Sequence, residues 1–443
     1  MRAAAAPARS VFPALRALPV LLGFTLLQAA LFWLEGSPSS RRLWGDEIMY
    51  RDLAGRFSRG EAAEIDPIWP PLYVWFLGLI ERLGGSPLFV VGVQLALLLL
   101  AAAALFALSS RLTGSSNAAL WAAALFLLDP QIQAFAHYFW PEALHLALFL
   151  GVVYLLSSPS LPPAALCAAG LLLGLALLTK SLLLPFVPVL LLPVLVPGER
   201  RRSLVRVALV LAVAAVVVAP RVIENGRRHG AYVIADSSRF NLWVGLNDRS
   251  RRNLVGEIVG EEYLRFTGSG PTLAERNAAL DSKLRGLLTE RGAVELLRGQ
   301  LAKQYFRLFD KDSFFTDQLP GGAIATQGYG YAGSQTRLAT LLRLWSYLLY
   351  ALTLAAAGLG LARLSPLARP ALFGVLAFLV YNLLLFLGLH VKSRYRLQFL
   401  PALELYAGAT LAGLAVPGRA RVALGVLVAL ILLGLAFAGP WLP

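Results

Sequence analysis

Runs of leucine, alanine and valine alternate along the chain with short breaks that carry arginine. A crossing needs about 20 apolar residues. On that basis spans are expected near residues 11–34, 87–110, 117–136, 142–157, 162–179, 182–197, 203–220, 339–361, 371–389, 397–416 and 420–438, eleven helices of an all-α polytopic membrane protein. The first, from Val11 to Leu34, follows Arg2 and Arg9 in the charge order of a secretory signal. It is long for one and lacks a small-x-small cleavage site before Glu35, so it reads as a retained helix. "PIWPPLYVWFLGLIERLGG" at 67–85 is shorter and ends in Glu81 and Arg82. The stretch 221–338 is polar, with helix-like patterns such as "LAERNAALDSKLRGLL". Three parts follow: a membrane module over 1–220 with a first external loop at 35–86, a small extracytoplasmic domain over 221–338, and C-terminal membrane helices over 339–443.

Composition supports the membrane reading: 58% of residues are hydrophobic and only 15% charged, against about 25% charged in soluble domains, and the mean hydropathy is +0.66. The net charge of +15 is laid out as topology and not as a nucleic-acid surface. If 67–85 lies in the interface, as amphipathic helices with Trp and Tyr do, then Arg111, Arg200–Arg202 with Arg206, Arg363 with Arg369, and Arg419 with Arg421 all fall in the cytoplasm. A full crossing there would put every one of these clusters outside. The single cysteine, Cys167, lies in an apolar run and allows no disulfide framework.

The same parity sends "HVKSRYR" at 390–396 outside, against the positive-inside bias. The opposite face of the membrane therefore collects the unusual polar residues: the acids Asp46, Glu47 and Glu142, the bases Lys180, His390, Lys392, Arg394 and Arg396, and the aromatics Trp44, Tyr50, Trp69, Tyr138, Trp140 and Tyr395. A carboxylate can take the proton of an attacking hydroxyl, and arginine can grip a departing phosphate. That pairing suits transfer onto a hydroxyl from a substrate whose leaving group is a lipid phosphate. Plainer roles exist for each residue: Asp46 as a helix cap, Glu142 after Pro141 as a first-turn acid, the arginines as headgroup anchors, and Lys180 as a snorkelling side chain.

Taken together, "GDEIMYRDLA", "WPPLYVWFLGL", the acid after "HYFWPEAL", "GLALLTKSLLLPFVP" and "SRYRLQFLPALELYAG" resemble the GT-C glycosyltransferase superfamily. The branch they resemble is the protein O-mannosyltransferase and aminoarabinose transferase group. The likeness covers roughly residues 10–200 and 370–415 and does not extend to 221–338. It implies an inverting transferase, working without a cofactor, that moves a sugar from a polyprenyl-phosphate donor to a lipid, glycan or protein hydroxyl. It also implies catalytic roles for Asp46, Glu47 and Glu142, donor-phosphate contacts from Arg394, Lys180, Arg396 and His390, and a pocket with Tyr50, Trp69, Pro70, Tyr138 and Tyr395. Trp69 stands where such families commonly have lysine, and Glu142 where aspartate is usual. The four histidines give no metal-ligand spacing; a divalent ion would have to use His137 or His390 with Glu142 or Asp46. The alanine- and arginine-rich composition points to a GC-rich bacterial genome, and with the charge parity this places the protein in a bacterial cytoplasmic membrane with the site on its outer side. A flippase for lipid-linked sugars, or a ligase without an acidic base, are the alternatives.

Overall fold

The computed structural model describes residues 23, 25–26, 42–61, 64–158, 161–250, 258–331, 336–364, 370–415 and 418–439. The expected first span, 11–34, lies almost wholly outside them. The described chain is helical, with one isolated bridge between Arg42 and Gly330.

Pro87–Thr113, Arg200–His229, Arg337–Arg363, Pro370–Gly388 and Arg419–Phe437 are long and apolar enough to cross a membrane by length and composition. Shorter apolar segments, Ser116–Leu128, Glu142–Leu156, Pro163–Thr179 and Ser181–Val194, occupy other expected span positions. Local chemistry explains where helices stop. Ser86 accepts a hydrogen bond from the Phe89 N–H and Pro87 follows it, a favoured start; Gly114, at φ 70°, ends the same helix. Asp129 and Pro130 split the expected 117–136 span into Ser116–Leu128 and the short Pro130–Ala134. Pro185, Pro188 and Pro193 break 182–197 into single turns, because each removes a donor and crowds the preceding turn. The expected 397–416 span becomes a 3-10 stretch, Ser393–Gln398, followed by Leu400–Leu411.

Leu72–Arg82 has 11 residues, about 16 Å of helix and roughly half a hydrocarbon core. It buries Tyr73, Val74, Leu77 and Ile80 and packs on Asp46–Ser58, where Gly78 lets the two backbones approach.

The polar stretch 221–338 does not pack as one unit. The helix expected to end at 220 runs on through Pro220 to His229. Ser238–Asn247, Val259–Thr267 and Leu273–Arg291 then form a small core from Phe240, Val244, Phe266, Leu273 and Leu280, joined by Ile68 of the first loop. From Leu308 onward Phe309, Phe314, Phe315, Leu319, Ile324 and Tyr331 belong to the large core that the long apolar helices share. Composition marked the segment as polar, but these scattered aromatic and aliphatic side chains decide its packing.

Close helix contacts in the membrane module rest on small residues. A β-carbon on Gly358 would come within 2.5 Å of the Ala429 nitrogen, and one on Gly360 would collide with the Tyr406 carbonyl. Gly360→Ala should therefore destabilise the protein by about 1–3 kcal/mol, the range for overpacking, read as a lower thermal midpoint in detergent.

Candidate active site

Gly45, at φ 62°, makes the turn that starts the helix Asp46–Ser58, a conformation that only glycine adopts without strain. The two acids after it diverge. Glu47 is fully buried and accepts hydrogen bonds from the Phe139 N–H at 2.9 Å and the Trp44 N–H at 3.2 Å. Asp46 keeps 28% of its side chain open and lines a cavity of about 860 Å³. There it is paired with Arg394, 348 positions later. Burial opposes the Asp46 charge, but Arg394 and Lys392 outweigh it and hold the carboxyl below its ordinary range.

Arg394 is 10% exposed and rests on aromatic faces, with its guanidinium carbon 4.7 Å from the Trp140 ring centre and 5.5 Å from that of Phe314. Lys392 sits 5.3 Å from the Trp44 ring centre. These cation–π contacts are each worth about 0.5–2 kcal/mol and hold the cations without consuming their N–H groups; the Arg394 Nε has no hydrogen-bond partner. A second pair stands across the cavity, Lys180 Nζ to Glu142 Oε1 at 3.3 Å. Glu142 opens a helix after Pro141, and Lys180 takes an extended backbone just past Thr179.

The stretch bearing Arg394 is held from outside. Gln300 donates to the Gly388 carbonyl at 3.2 Å and Gln304 to the Leu389 carbonyl at 2.7 Å. The His390 N–H donates to the Asn241 carbonyl at 2.7 Å. Lys303 donates to the carbonyls of Gly245 and Asp248, and Arg307 pairs with the Asp248 carboxylate at 2.9 Å in full burial. The first loop is tied to the same outer helices through Arg276 to Asp66 at 2.5 Å and Asp236 N–H to the Pro67 carbonyl at 2.9 Å.

Of the residues singled out from sequence, Asp46, Glu142, Arg394, Lys180, His390, Tyr50, Trp69, Pro70 and Tyr395 all line the cavity. Three stand apart from it. Glu47 fixes backbone, as described. Arg396, two positions from Arg394 on a 3-10 turn, points into the bundle, bonds to Gln131 and the Asp310 carbonyl, and stacks 4.3 Å from the Tyr350 ring centre; it is not placed to hold a donor phosphate. Tyr138 is fully buried, with its hydroxyl 3.3 Å from that of Tyr331. His390 lines the cavity, but burial first, then the charges of Arg307, Lys392 and Arg394, hold its imidazole well below its ordinary pKa. It is thus neutral and supplies no charge to a phosphate. His137 is buried away from the cavity. Among the described residues no group of three His, Cys, Asp or Glu side chains converges as a metal site.

Ser237, Phe240, Asn241 and Tyr263 on the outer helices, Gln327 and Tyr329 on the segment before the C-terminal helices, and Gln398 at the inner end also line the cavity. Nothing local in their sequence marks them; they reach the site only through tertiary packing.

Residues 69–223 match the family model described as Dolichyl-phosphate-mannose-protein mannosyltransferase. That stretch contains Trp69, Glu142 and Lys180 but neither Asp46 nor Arg394. No curated protein matches the chain by sequence. The archaeal oligosaccharyltransferase AglB from Archaeoglobus fulgidus, in complex with an inhibitory peptide and a dolichol-phosphate, superposes on 97% of this chain at TM-score 0.52 and 14% identity. The apo crystal structure of the Archaeoglobus fulgidus oligosaccharyltransferase superposes on 98% at TM-score 0.54 and 14% identity. The fold is GT-C. The alignment covers 56% of each of those two longer chains. ArnT from Cupriavidus metallidurans, bound to undecaprenyl phosphate, aligns over 94% of this chain and 78% of its own at 18% identity and TM-score 0.39. The GT-C fold, all-helical among the described residues, and the five helices long and apolar enough to cross a membrane make this a multi-pass membrane protein.

The two neighbouring acids have separable roles. Glu47→Ala strands two buried backbone N–H groups and should destabilise the protein by about 1–3 kcal/mol, lowering its thermal midpoint. Asp46→Asn, facing the cavity, should leave that midpoint within a few degrees; equal losses in both variants would contradict the assignment.

Proposed function

We propose that the protein is an integral membrane glycosyltransferase that moves a sugar from a polyprenyl-phosphate donor to an acceptor hydroxyl, with inversion, at the outer face of a bacterial cytoplasmic membrane. The observation that carries this reading is the Asp46–Arg394 pair at the wall of a large cavity, in a chain that resembles the GT-C transferases, shares the fold of the oligosaccharyltransferase structures and partly matches a family named for a lipid-phosphate-sugar donor.

The acceptor oxygen attacks the anomeric carbon while its proton passes to the Asp46 carboxylate. The bond from that carbon to the phosphate oxygen breaks, and its electron pair leaves with polyprenyl phosphate. Arg394 serves both ends of the step: one nitrogen holds Asp46, and the guanidinium borders the cavity in which the phosphate sits. As negative charge gathers on the leaving phosphate, the guanidinium is drawn toward it and its hold on Asp46 weakens, which raises the basicity of the carboxylate when it must accept a proton. Lys392 and Lys180 add positive charge at the same cavity. Gln398 borders both this cavity and a narrow apolar crevice lined by Leu105, Phe149, Phe186 and Phe378, a fitting place for the first part of a prenyl chain. The same crevice argues against the flippase reading, because a polar headgroup would meet aromatic and aliphatic walls below Gln398.

Asp46→Asn should lower transfer by about 10²–10⁴-fold, the usual worth of a general base, while binding of radiolabelled undecaprenyl phosphate persists; near-normal transfer would overturn the assignment. Lys392→Met removes one charge that stabilises the Asp46 carboxylate. The Asp46 pKa must then rise, so the acid limb of the kcat/KM profile should move to higher pH. A limb that stays in place or moves down would contradict the electrostatic account.

A further inference from the structure

The charges of the cavity lie on one side. Among the described lining residues, Asp46, Glu142 and Lys180 belong to the first 220 residues and Lys392 and Arg394 to the loop before the last two helices, whereas the outer helices contribute only Ser237, Phe240, Asn241, Val259, Gly260 and Tyr263. Trp69 stands between the two sides, 6.2 Å from the Tyr50 ring centre and 6.4 Å from that of Tyr263. Tyr263 continues to Phe240 at 6.1 Å, so an aromatic wall runs from the base to the outer core.

Unused hydrogen-bonding capacity accompanies this wall. Trp69 Nε1 is buried without a partner. His390 is 2% exposed and lines the cavity, yet neither ring nitrogen has a hydrogen-bond partner; the nearest carboxylate oxygen, on Asp248, is 4.0 Å from Nδ1. Unpaired buried polar groups are costly in an otherwise well-satisfied protein. A neutral imidazole can donate at one nitrogen and accept at the other, which matches a hydroxyl.

We propose that the lobe of the cavity formed by Trp69, Phe240, Asn241, Tyr263 and His390 is an acceptor subsite for an uncharged saccharide, which it presents to Asp46. This rests on the glycosyltransferase reading and narrows its acceptor. Flat aromatic faces cover the C–H faces of a sugar ring, and neutral donors and acceptors answer its hydroxyls. An anionic lipid acceptor would need cations turned to this lobe, and Lys392 and Arg394, which follow His390 on the same stretch, are directed to the Trp44 ring and to Asp46. His390 thereby takes a role toward the acceptor in place of the donor phosphate.

The test uses full-length protein in nanodiscs and measures equilibrium binding of tritiated neutral disaccharides, a serine-containing peptide and an anionic phospholipid, with radiolabelled undecaprenyl phosphate measured in parallel. A neutral disaccharide should bind, and Trp69→Leu and Tyr263→Leu should each weaken it by about tenfold, the scale of losing one or two well-made contacts, while undecaprenyl phosphate binding stays within about twofold. Binding of the peptide or phospholipid in place of any disaccharide, disaccharide binding indifferent to both substitutions, or equal loss of both ligands would overturn the subsite. If the wild-type protein fails to bind undecaprenyl phosphate yet binds the disaccharide through Trp69 and Tyr263, the saccharide site stands and the donor reading falls.

Discussion

The ion pair between Asp46 and Arg394 is the contact on which the chemistry of the cavity depends. It requires the loop after the first expected span and the loop before the last two helices to meet on one face of the bundle, so it fixes sidedness as well as chemistry. A partly buried pair brings little net stability, since desolvation offsets much of the attraction. Its retention inside a cavity, on a platform of Trp140 and Phe314, is better explained by what the two groups do than by what they hold together.

The surrounding structure keeps this pair in register. Glu47 ties the start of the first-loop helix to the 138–140 turn, and the outer helices hold both the first loop, through Asp66, and the 388–390 turn, through Gln300, Gln304 and Asn241. Gly245 lets the outer helices lie against that turn, since a β-carbon there would come within 2.6 Å of the Gly388 carbonyl oxygen and the His390 nitrogen. The small outer core is therefore a brace for the loops that carry Asp46 and Arg394.

Much of this was legible in the chain. Hydropathy finds the five helices long and apolar enough to cross a membrane, and the basic stretch at 390–396, singled out because it breaks the expected charge bias, carries the arginine that meets Asp46. What sequence could not resolve is direction. Asp46 and Glu47 are neighbours, yet about 100° apart around a helix, and one faces the cavity while the other faces the core. Arg394 and Arg396 are separated by two positions on a 3-10 turn, about 240°, with the same result. Polarity alone also gives no sign that, within 221–338, Phe309, Phe314 and Phe315 pack in the large core with the apolar helices. Tyr263, Phe240 and Asn241 carry no local signal, because their meeting with Trp69 depends on packing across some 170–190 positions.

The most direct test of the central claim is a double-mutant cycle on single-turnover transfer from a radiolabelled undecaprenyl-phosphate sugar, comparing wild type, Asp46→Asn, Arg394→Gln and the double variant. If one guanidinium serves both base and leaving group, each single change should cost at least about 100-fold, and the double variant should be no more than about tenfold slower than the worse single, because residues acting as a unit are not additive. Losses that simply multiply, or a single variant that transfers at the wild-type rate, would contradict the account.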